Sequence, residues 1–402
     1  MKTFDEALYA LLSDVQVTTE SETINVGEGL QRILAEDIVS SVNVPPHDNS
    51  QMDGYALHSF DLEHGNLFPV SQRIAAGEVG AELQHGTVAR IFTGAPIPSG
   101  ANMVVMQEDT EEVDGQIQIN IKAQPGANVR KKGEDIQQGQ VILQAGTRLR
   151  PQELGLISSI GIGEIKVFKP LKVATFTTGD ELLEPGSEPQ EGKIYNANRY
   201  TLQGLIPQLG FELIDLGHVA DTLEGTIEAM KKAADIADVV MTTGGVSVGE
   251  EDHIKPALES LGELNMWKVK MKPGKPIAYG KIGVDKGQVP FIGLPGNPVS
   301  AFATFKLFAR PYLMKMQGAE QIKTNPIWLQ ADFDWPKANF RRDFLRARMT
   351  NKRQQTVAEI YPHQGSGVLM STSWAEGFVV IPEDSTIKKG DTVAFYPFSA
   401  FV

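Results

Sequence analysis

The 402-residue sequence contains no cysteine. That excludes disulfides, thiolate zinc sites, protein-ligated iron–sulfur clusters and cysteine nucleophiles. Histidine is also scarce: the seven present are scattered, and none pair at H-E-x-x-H or similar spacing. A first-row metal site built on imidazole is therefore not expected, whereas a hard-ion site built on carboxylates stays open. No apolar run approaches membrane-spanning length. The opening "MKTFDEALYALLSDV" places Phe4, Leu8, Leu11, Leu12 and Val15 on one helical face, and Asp5 and Glu6 interrupt it as no signal peptide would. Basic residues are in the minority. The net charge of −13 argues against a general nucleic-acid binder, and an anionic substrate would have to be drawn in by a local cluster of Lys or Arg. The expectation is a cytoplasmic protein that binds neither nucleic acid nor membrane.

The length suggests two to four domains. The clearest block runs from 171 to 320, with residues 1–14 added to it. Within it "LKVATFTTGDEL", "FELIDLGHVAD" and "DVVMTTGG" read as strands. Leu202, Leu205, Ile206 and Leu209 recur at helical spacing, as do Ile227 and Met230, and a further helix is expected from about His253 to Leu261. Such alternation implies a parallel sheet covered on both faces, with ligands at the carboxyl ends of its strands. The loops "TTGDEL", "GHVAD" and "TTGGVSVGEED" all fall at that edge. Residues 46–135 are rich in Gly, Pro and short Val/Ile runs and suggest a small inserted β domain. Their flanks, 15–45 and 136–170, read as one elongated linker module. From 321 to 402, strands such as "TVAEIYP", "GFVVIP" and "DTVAFYPF" suggest a C-terminal β barrel. The fold class expected is thus multidomain α/β plus β.

The segment "MTTGGVSVGEEDHIKP" has the glycine spacing of a phosphate loop, with Gly244, Gly245, Ser247 and Gly249 available to an anion, yet it ends in Glu250, Glu251 and Asp252. An acid at a helix start is ordinarily a cap facing the helix dipole. Here Asp180 and Glu181 follow the first strand, Asp221 the second and Asp252 the third, so all converge on one sheet edge. Carboxylates beside a phosphate cradle are compatible if Mg²⁺ bridges them to a phosphate or pyrophosphate. In "MWKVKMKPGKPIAYG", Lys268, Lys270 and Lys272 alternate and would share one strand face, with Lys275 in a Pro-Gly turn. A solvated edge strand is the plainer reading; the rigid "KPGKP" favours an anion site. "GLPGNPVSAFATF" follows a strand, with Pro295 and Pro298 stiffening the loop while Gly296 admits a close backbone approach. In the β domain, Asp53 and Thr93 are polar candidates that could equally stabilise turns. "NFRRDFLRARMTNKR", with Phe340 and Phe344, is basic enough for a nucleotide or is simply an amphipathic strand pair.

Taken in order, "SQMDGYAL", "IFTGAPIP", "VRKKGEDI", "TTGDEL", "DVVMTTGGVSVGEED", "KPGKP" and "GLPGNPVSAFATF" resemble the molybdopterin molybdenumtransferases, the MoeA family, related to the E domain of gephyrin. The resemblance covers essentially the full length. It implies insertion of molybdenum from molybdate into adenylylated molybdopterin with Mg²⁺-dependent release of AMP, by an elongated homodimer of four subdomains with an active site shared between subunits. It assigns the metal and pyrophosphate region to Glu181, Asp221 and Asp252, and molybdate and substrate contacts to Lys268, Lys272 and Lys275, with Pro295 and Pro298 shaping the loop. Asp53, Thr93 and Asp135 lie in matching motifs of the first two subdomains. Two departures are Gln51, where Ala is usual, and Glu251 in the acidic run. Because the dithiolene sulfurs belong to the substrate, a protein without cysteine can still insert the metal. The resemblance also suggests contact with a molybdopterin adenylyltransferase.

Competing readings are a nucleotide pyrophosphatase or a molybdopterin adenylyltransferase, which would share the parallel-sheet block, and a non-enzymatic dimeric scaffold. The upstream "MDGYAL" and "GEDI" segments and the barrel favour the transferase, and retention of Asp53, Asp221, Asp252 and the lysines disfavours a purely structural role. A dinucleotide-dependent dehydrogenase is unsupported, because no G-x-G-x-x-G follows a strand.

Overall fold

The computed structural model describes all residues except 19, 123, 246–252, 275, 286, 353 and 402. Its centre is a six-stranded sheet in the order Glu212–His218, Lys172–Thr177, Val239–Thr243, Gly287–Leu294, Pro276–Val284, Gly262–Lys268. The first four strands are mutually parallel. The alternation of side chains explains the two covered faces. Val173, Met241, Tyr279 and Ile292 pack against Phe4–Ser13, Ala197–Gln208 and the long helical run from Pro298 to Met316. Their neighbours Ala174, Val240, Ala278 and Phe291 pack on the other face against Leu223–Ile236 and Ile254–Leu261. The central strand Val239–Thr243 is buried throughout.

The sheet departs from the all-parallel expectation at one end. Pro276–Val284 and Gly262–Lys268 run antiparallel. The cause is connection length: Val284 pairs with Gly287, and so short a link joins only antiparallel neighbours. A second departure affects the lysines. Val269 and Met271 do point into the core, as the alternation requires. The strand nevertheless ends at Lys268, and Met271–Lys272 pairs instead with Arg342–Asp343 of the C-terminal region. Lys268 is left exposed at the sheet margin. The three lysines therefore do not share one strand face.

The C-terminal region is a closed five-stranded barrel. Arg342–Lys352 pairs with Gln355–Ile360, which leads through Ile327–Ala331 and Thr392–Pro397 to Gly377–Ile381, and that strand returns to Arg342–Lys352. Residues between 50 and 119 form the six-stranded sheet of the small β domain. The flanking segments pack around Leu34, Ile38, Ile157, Ile160 and Val167, with the helix Pro151–Ser159 among them. Among the described residues, no helix is long and apolar enough to cross a membrane.

Gly54 opens the strand Gly54–Leu57 directly after Asp53, and a Cβ placed there would lie 1.9 Å from the Val105 carbonyl oxygen on the next strand. Gly54→Ala is expected to cost about 2 kcal/mol through overpacking. Gly27→Ala, with nothing within 4 Å of the added atom, should stay within about 0.5 kcal/mol of wild type. Denaturant unfolding of both variants checks this; equal stabilities would refute the steric account.

Candidate active site

Three parallel strands end side by side, and their loops meet in one cleft of about 700 Å³. Thr178 and Glu181 follow the first strand, Gly244 and Gly245 the third, and Pro295, Gly296 and Pro298 the fourth. Glycine is needed here for conformation and for space. Gly244 and Gly245 have φ of 89° and 63°, values that side chains disfavour. The Gly244 amide donates to the Leu294 carbonyl at 3.0 Å, and a Cβ on Gly296 would lie 3.5 Å from the Gly244 Cα. The two loops thus meet backbone to backbone. Ser247, Gly249 and Asp252 lie outside the described residues, as does Lys275.

The opposite wall comes from the chain crossing into the barrel. Lys272, Pro273 and Gly274 line the cleft with Arg341, Gln364 and Ser366. Lys272 sits beside buried Asp343, whose carboxyl is raised by burial and held back chiefly by that lysine. The loop at 363–367 is fastened by Arg346, a fully buried residue whose guanidinium is lowered to about 10 by burial. Its Nε donates to Ser371 Oγ at 3.1 Å and its Nη2 to the Gly365 carbonyl at 3.1 Å. Its amide donates to Gln364 Oε1 at 2.9 Å, and Gln364 Nε2 donates back to its carbonyl at 3.0 Å.

A third group enters from the helix Ala197–Gln208. Asn196 caps it by accepting from the Arg199 amide, while its Nδ2 donates to Thr177 Oγ1 at 2.8 Å. Asn198 donates to the Gly296 carbonyl at 2.7 Å, which leaves its buried Oδ1 without a hydrogen-bond partner among the described residues. The buried Nε of Arg341 is likewise unpaired. A buried polar atom without a partner costs free energy that a bound ligand can offset. The cleft therefore offers an acceptor and a cationic donor, and at its rim the exposed apolar surfaces of Ile194 and Tyr195.

Asp221 follows the second strand and precedes Thr222, the cap of Leu223–Ile236. Its carboxyl is raised by burial, with His253 opposing and Asp180 and Glu181 adding to the rise. Asp180, Glu181 and Asp221 are thus near one another at the sheet edge, while Asp252 lies outside the described residues. Among the described residues no three carboxylates or imidazoles come close enough to enclose a metal by themselves. Mg²⁺ commonly takes one or two carboxylates and completes its shell with water and phosphate oxygens. Glu181, which lines the cleft, and Asp221, whose carboxyl feels its charge, fit that role.

The structure brings Glu181, Gly244, Gly245, Lys272, Pro295, Gly296 and Pro298 into the cleft. Lys268 does not line it, for the reason given by the break in its strand. Asp53, Thr93 and Asp135 are elsewhere, in and beside the β domain. Asp53 Oδ1 accepts both the amide and the hydroxyl of Thr93 at 2.8 Å, which lowers its pKa. Asp135 is exposed, with its amide bonded to the Val44 carbonyl. Sequence reasoning missed Asn198, Arg341, Gln364 and Ser366. The basic run around Arg341 carried a signal, but "PHQGSG" had no recognisable chemistry.

Three family profiles match in order: the MoeA N-terminal region (domain I and II) over residues 2–161, a "Probable molybdopterin binding domain" over 174–315, and the MoeA C-terminal region (domain IV) over 329–398. A molybdopterin molybdenumtransferase of Haemophilus influenzae is 40% identical over 99% of this chain and 99% of its own. One from Staphylococcus aureus strain MRSA252 is 33% identical over 96% and 93%. The crystal structure of a molybdopterin biosynthesis moeA protein from Pyrococcus horikoshii OT3 superposes with a TM-score of 0.85 at 31% identity, covering 99% of this chain and 100% of that one. With a relative this similar along nearly its whole length, the chain belongs to the MoeA family, the molybdopterin molybdenumtransferases.

Proposed function

We propose that this protein inserts molybdenum from molybdate into adenylylated molybdopterin and releases AMP, in molybdenum cofactor biosynthesis. The observation that carries this reading is the union, in one cleft, of glycine loops from the sheet with Lys272 and Arg341 from the barrel seam. Backbone amides at the glycine loops suit a phosphoanhydride. Lys272 and Arg341 would hold a dianion such as molybdate against the pterin sulfurs. Ile194 and Tyr195 give a flat heterocycle an apolar surface. Glu181 and Asp221, with Asp252, would hold Mg²⁺, which when bound polarises the phosphoanhydride and offsets charge on the departing phosphate. An adenylyltransferase or pyrophosphatase would need only the sheet loops; the barrel side of the cleft favours metal insertion.

The Asp53–Thr93 pair lies outside this cleft on the inserted β domain. It suits a role in completing the site of a second subunit, with the protein acting as a cytoplasmic homodimer that receives its substrate from an adenylyltransferase.

The direct test is to incubate the protein with adenylylated molybdopterin, Mg²⁺ and molybdate, following AMP release and active cofactor. AMP release without molybdate dependence would point instead to a pyrophosphatase. Lys272→Gln is expected to weaken molybdate dependence at least tenfold while adenylylated pterin binds within a few-fold of wild type, since a small dianion relies on few close charges. Equal losses for both ligands would remove the molybdate role.

Subunit sharing is tested by mixing Asp53→Asn and Asp252→Asn proteins after subunit exchange. With a shared site, each mixed dimer has one site with both lesions and one with neither, so activity recovers to roughly a quarter of wild type. If both residues serve the same subunit's site, mixing restores nothing.

A further inference from the structure

A second cleft, of about 950 Å³, lies between the linker module, the end of the long helical run and the C-terminal segment. Its charged lining is Arg148, Arg150, Glu153, Arg310, Glu320 and Lys323. One wall is closed where the Glu320 amide donates to the Gly146 carbonyl at 3.1 Å. Glu153 is already committed, since Arg150 binds it through Nε at 3.0 Å and Nη2 at 2.6 Å.

Arg310 is different. It is only 6% exposed and follows directly on the π-helical turn Phe305–Ala309. Its Nη1 donates to the Ile322 carbonyl at 3.0 Å and its guanidinium lies 5.8 Å from the Phe401 ring centroid. Its buried Nε has no partner among the described residues, and neither has the buried Nε of Arg148. Arg148 makes one weak contact, from Nη2 to the Gln208 carbonyl at 3.4 Å. Neither arginine forms an ion pair among the described residues, whereas Arg32, Arg199, Arg342 and Arg348 all do. Burial, and then the charge of Arg148, lower the Arg310 guanidinium to about 10. Behind them Lys306, 4% exposed among the rings of Phe302, Phe398 and Phe401, is lowered to about 8 by burial and by Arg310.

An acidic chain, with 50 carboxylate residues against 37 lysines and arginines, thus leaves two neighbouring guanidiniums beside a cavity with no carboxylate partner among the described residues. Guanidinium cannot shed its proton to escape the cost of burial, and its fork matches oxyanions. We propose that this cleft is a second anion site, taking a small phosphate-bearing ligand on Arg148 and Arg310, separate from the glycine-loop cleft. The volume is in the range of organic ligand pockets, roughly 300–1,000 Å³, and exceeds what a single carboxylate would fill. Because the lining comes from three segments, occupancy would stiffen the junction between the linker module and the central domain.

The test uses the full chain carrying Lys272→Gln, titrated by calorimetry with inorganic pyrophosphate in the absence of Mg²⁺, without which the carboxylates of the first cleft repel the anion. Saturable binding near one per chain is expected, weakened at least tenfold by Arg148→Gln and by Arg310→Met. Pyrophosphate should raise the melting temperature of the Lys272→Gln protein and not of either double variant. Without pyrophosphate, Arg310→Met should melt no lower than its parent, since it replaces an unpaired buried charge with a side chain of similar reach. Should that variant fail to fold, Arg148→Gln carries the test alone. No binding, or binding that the foldable arginine variants leave unchanged, overturns the proposal. A change in sedimentation on mutating the arginines, without pyrophosphate binding, also overturns it and points to a carboxylate from a second copy of the chain.

Discussion

The arrangement rests on one short pairing. Val269 and Met271 are anchored in the core of the α/β domain, and the next step of chain, Met271–Lys272, hydrogen-bonds alongside Arg342–Asp343 of the barrel. Two residues of ladder hold the lysine against the far wall of the cleft. Asp343 is buried behind it, so the lysine's charge is partly spoken for before any ligand arrives. The backbone of Lys2 reinforces the crossing, donating to the Lys268 carbonyl at 3.0 Å and accepting from the Lys270 amide at 2.8 Å. Displacing this seam would separate the two halves of the cleft and carry Lys272 away with it.

Preorganisation elsewhere in the cleft has a similar character. Asn196 serves two elements at once, the cap of a helix and the end of a strand, and so sets where Asn198 points. Arg346 does the same for the loop at 363–367 from inside the barrel core. A buried arginine is expensive unless its donors are met; here three of its nitrogens reach oxygens, and the result is a rigid loop bearing Gln364 and Ser366. Positioning is thus supplied by polar side chains committed to the protein's own structure: Arg346 from behind the cleft, Asn196 from its wall.

What was legible in the sequence was local and periodic. The parallel strands announced themselves because both of their faces are buried, and the helices because Leu202, Leu205 and Ile206, or Ile254, Ala257 and Leu258, recur at helical spacing. Glycine and proline marked the loops at the strand ends, and those loops carry Glu181, Gly244 and Gly296. The crossing at Lys270 was hidden: parity of burial is the same whether a strand continues or bends into another sheet. Arg341 lay in a basic run that could not be told from a solvated strand pair, and Ser366 was hidden, because their meaning depends on a barrel closing through pairs far apart in sequence, such as Asp343 with Ile381. The antiparallel margin became visible only once Val284 was seen to pair with Gly287.

Closure of the barrel also bears on how this molecule meets its neighbours. A strand at the margin of a sheet exposes unpaired amides and carbonyls that can recruit another chain. The ring of five has no such margin, since Gly377–Ile381 returns to Arg342–Lys352. Open margins persist at Glu212–His218 and Gly262–Lys268 of the central sheet, and at Met103–Met106 and Thr110–Val113 of the β domain. The last of these is four residues long and carries Glu111 and Glu112, both exposed. Short length and like charge discourage strand addition there. Backbone-mediated association is thereby steered away from the barrel and from Thr110–Val113, and toward the three margins that stay open, Glu212–His218, Gly262–Lys268 and Met103–Met106.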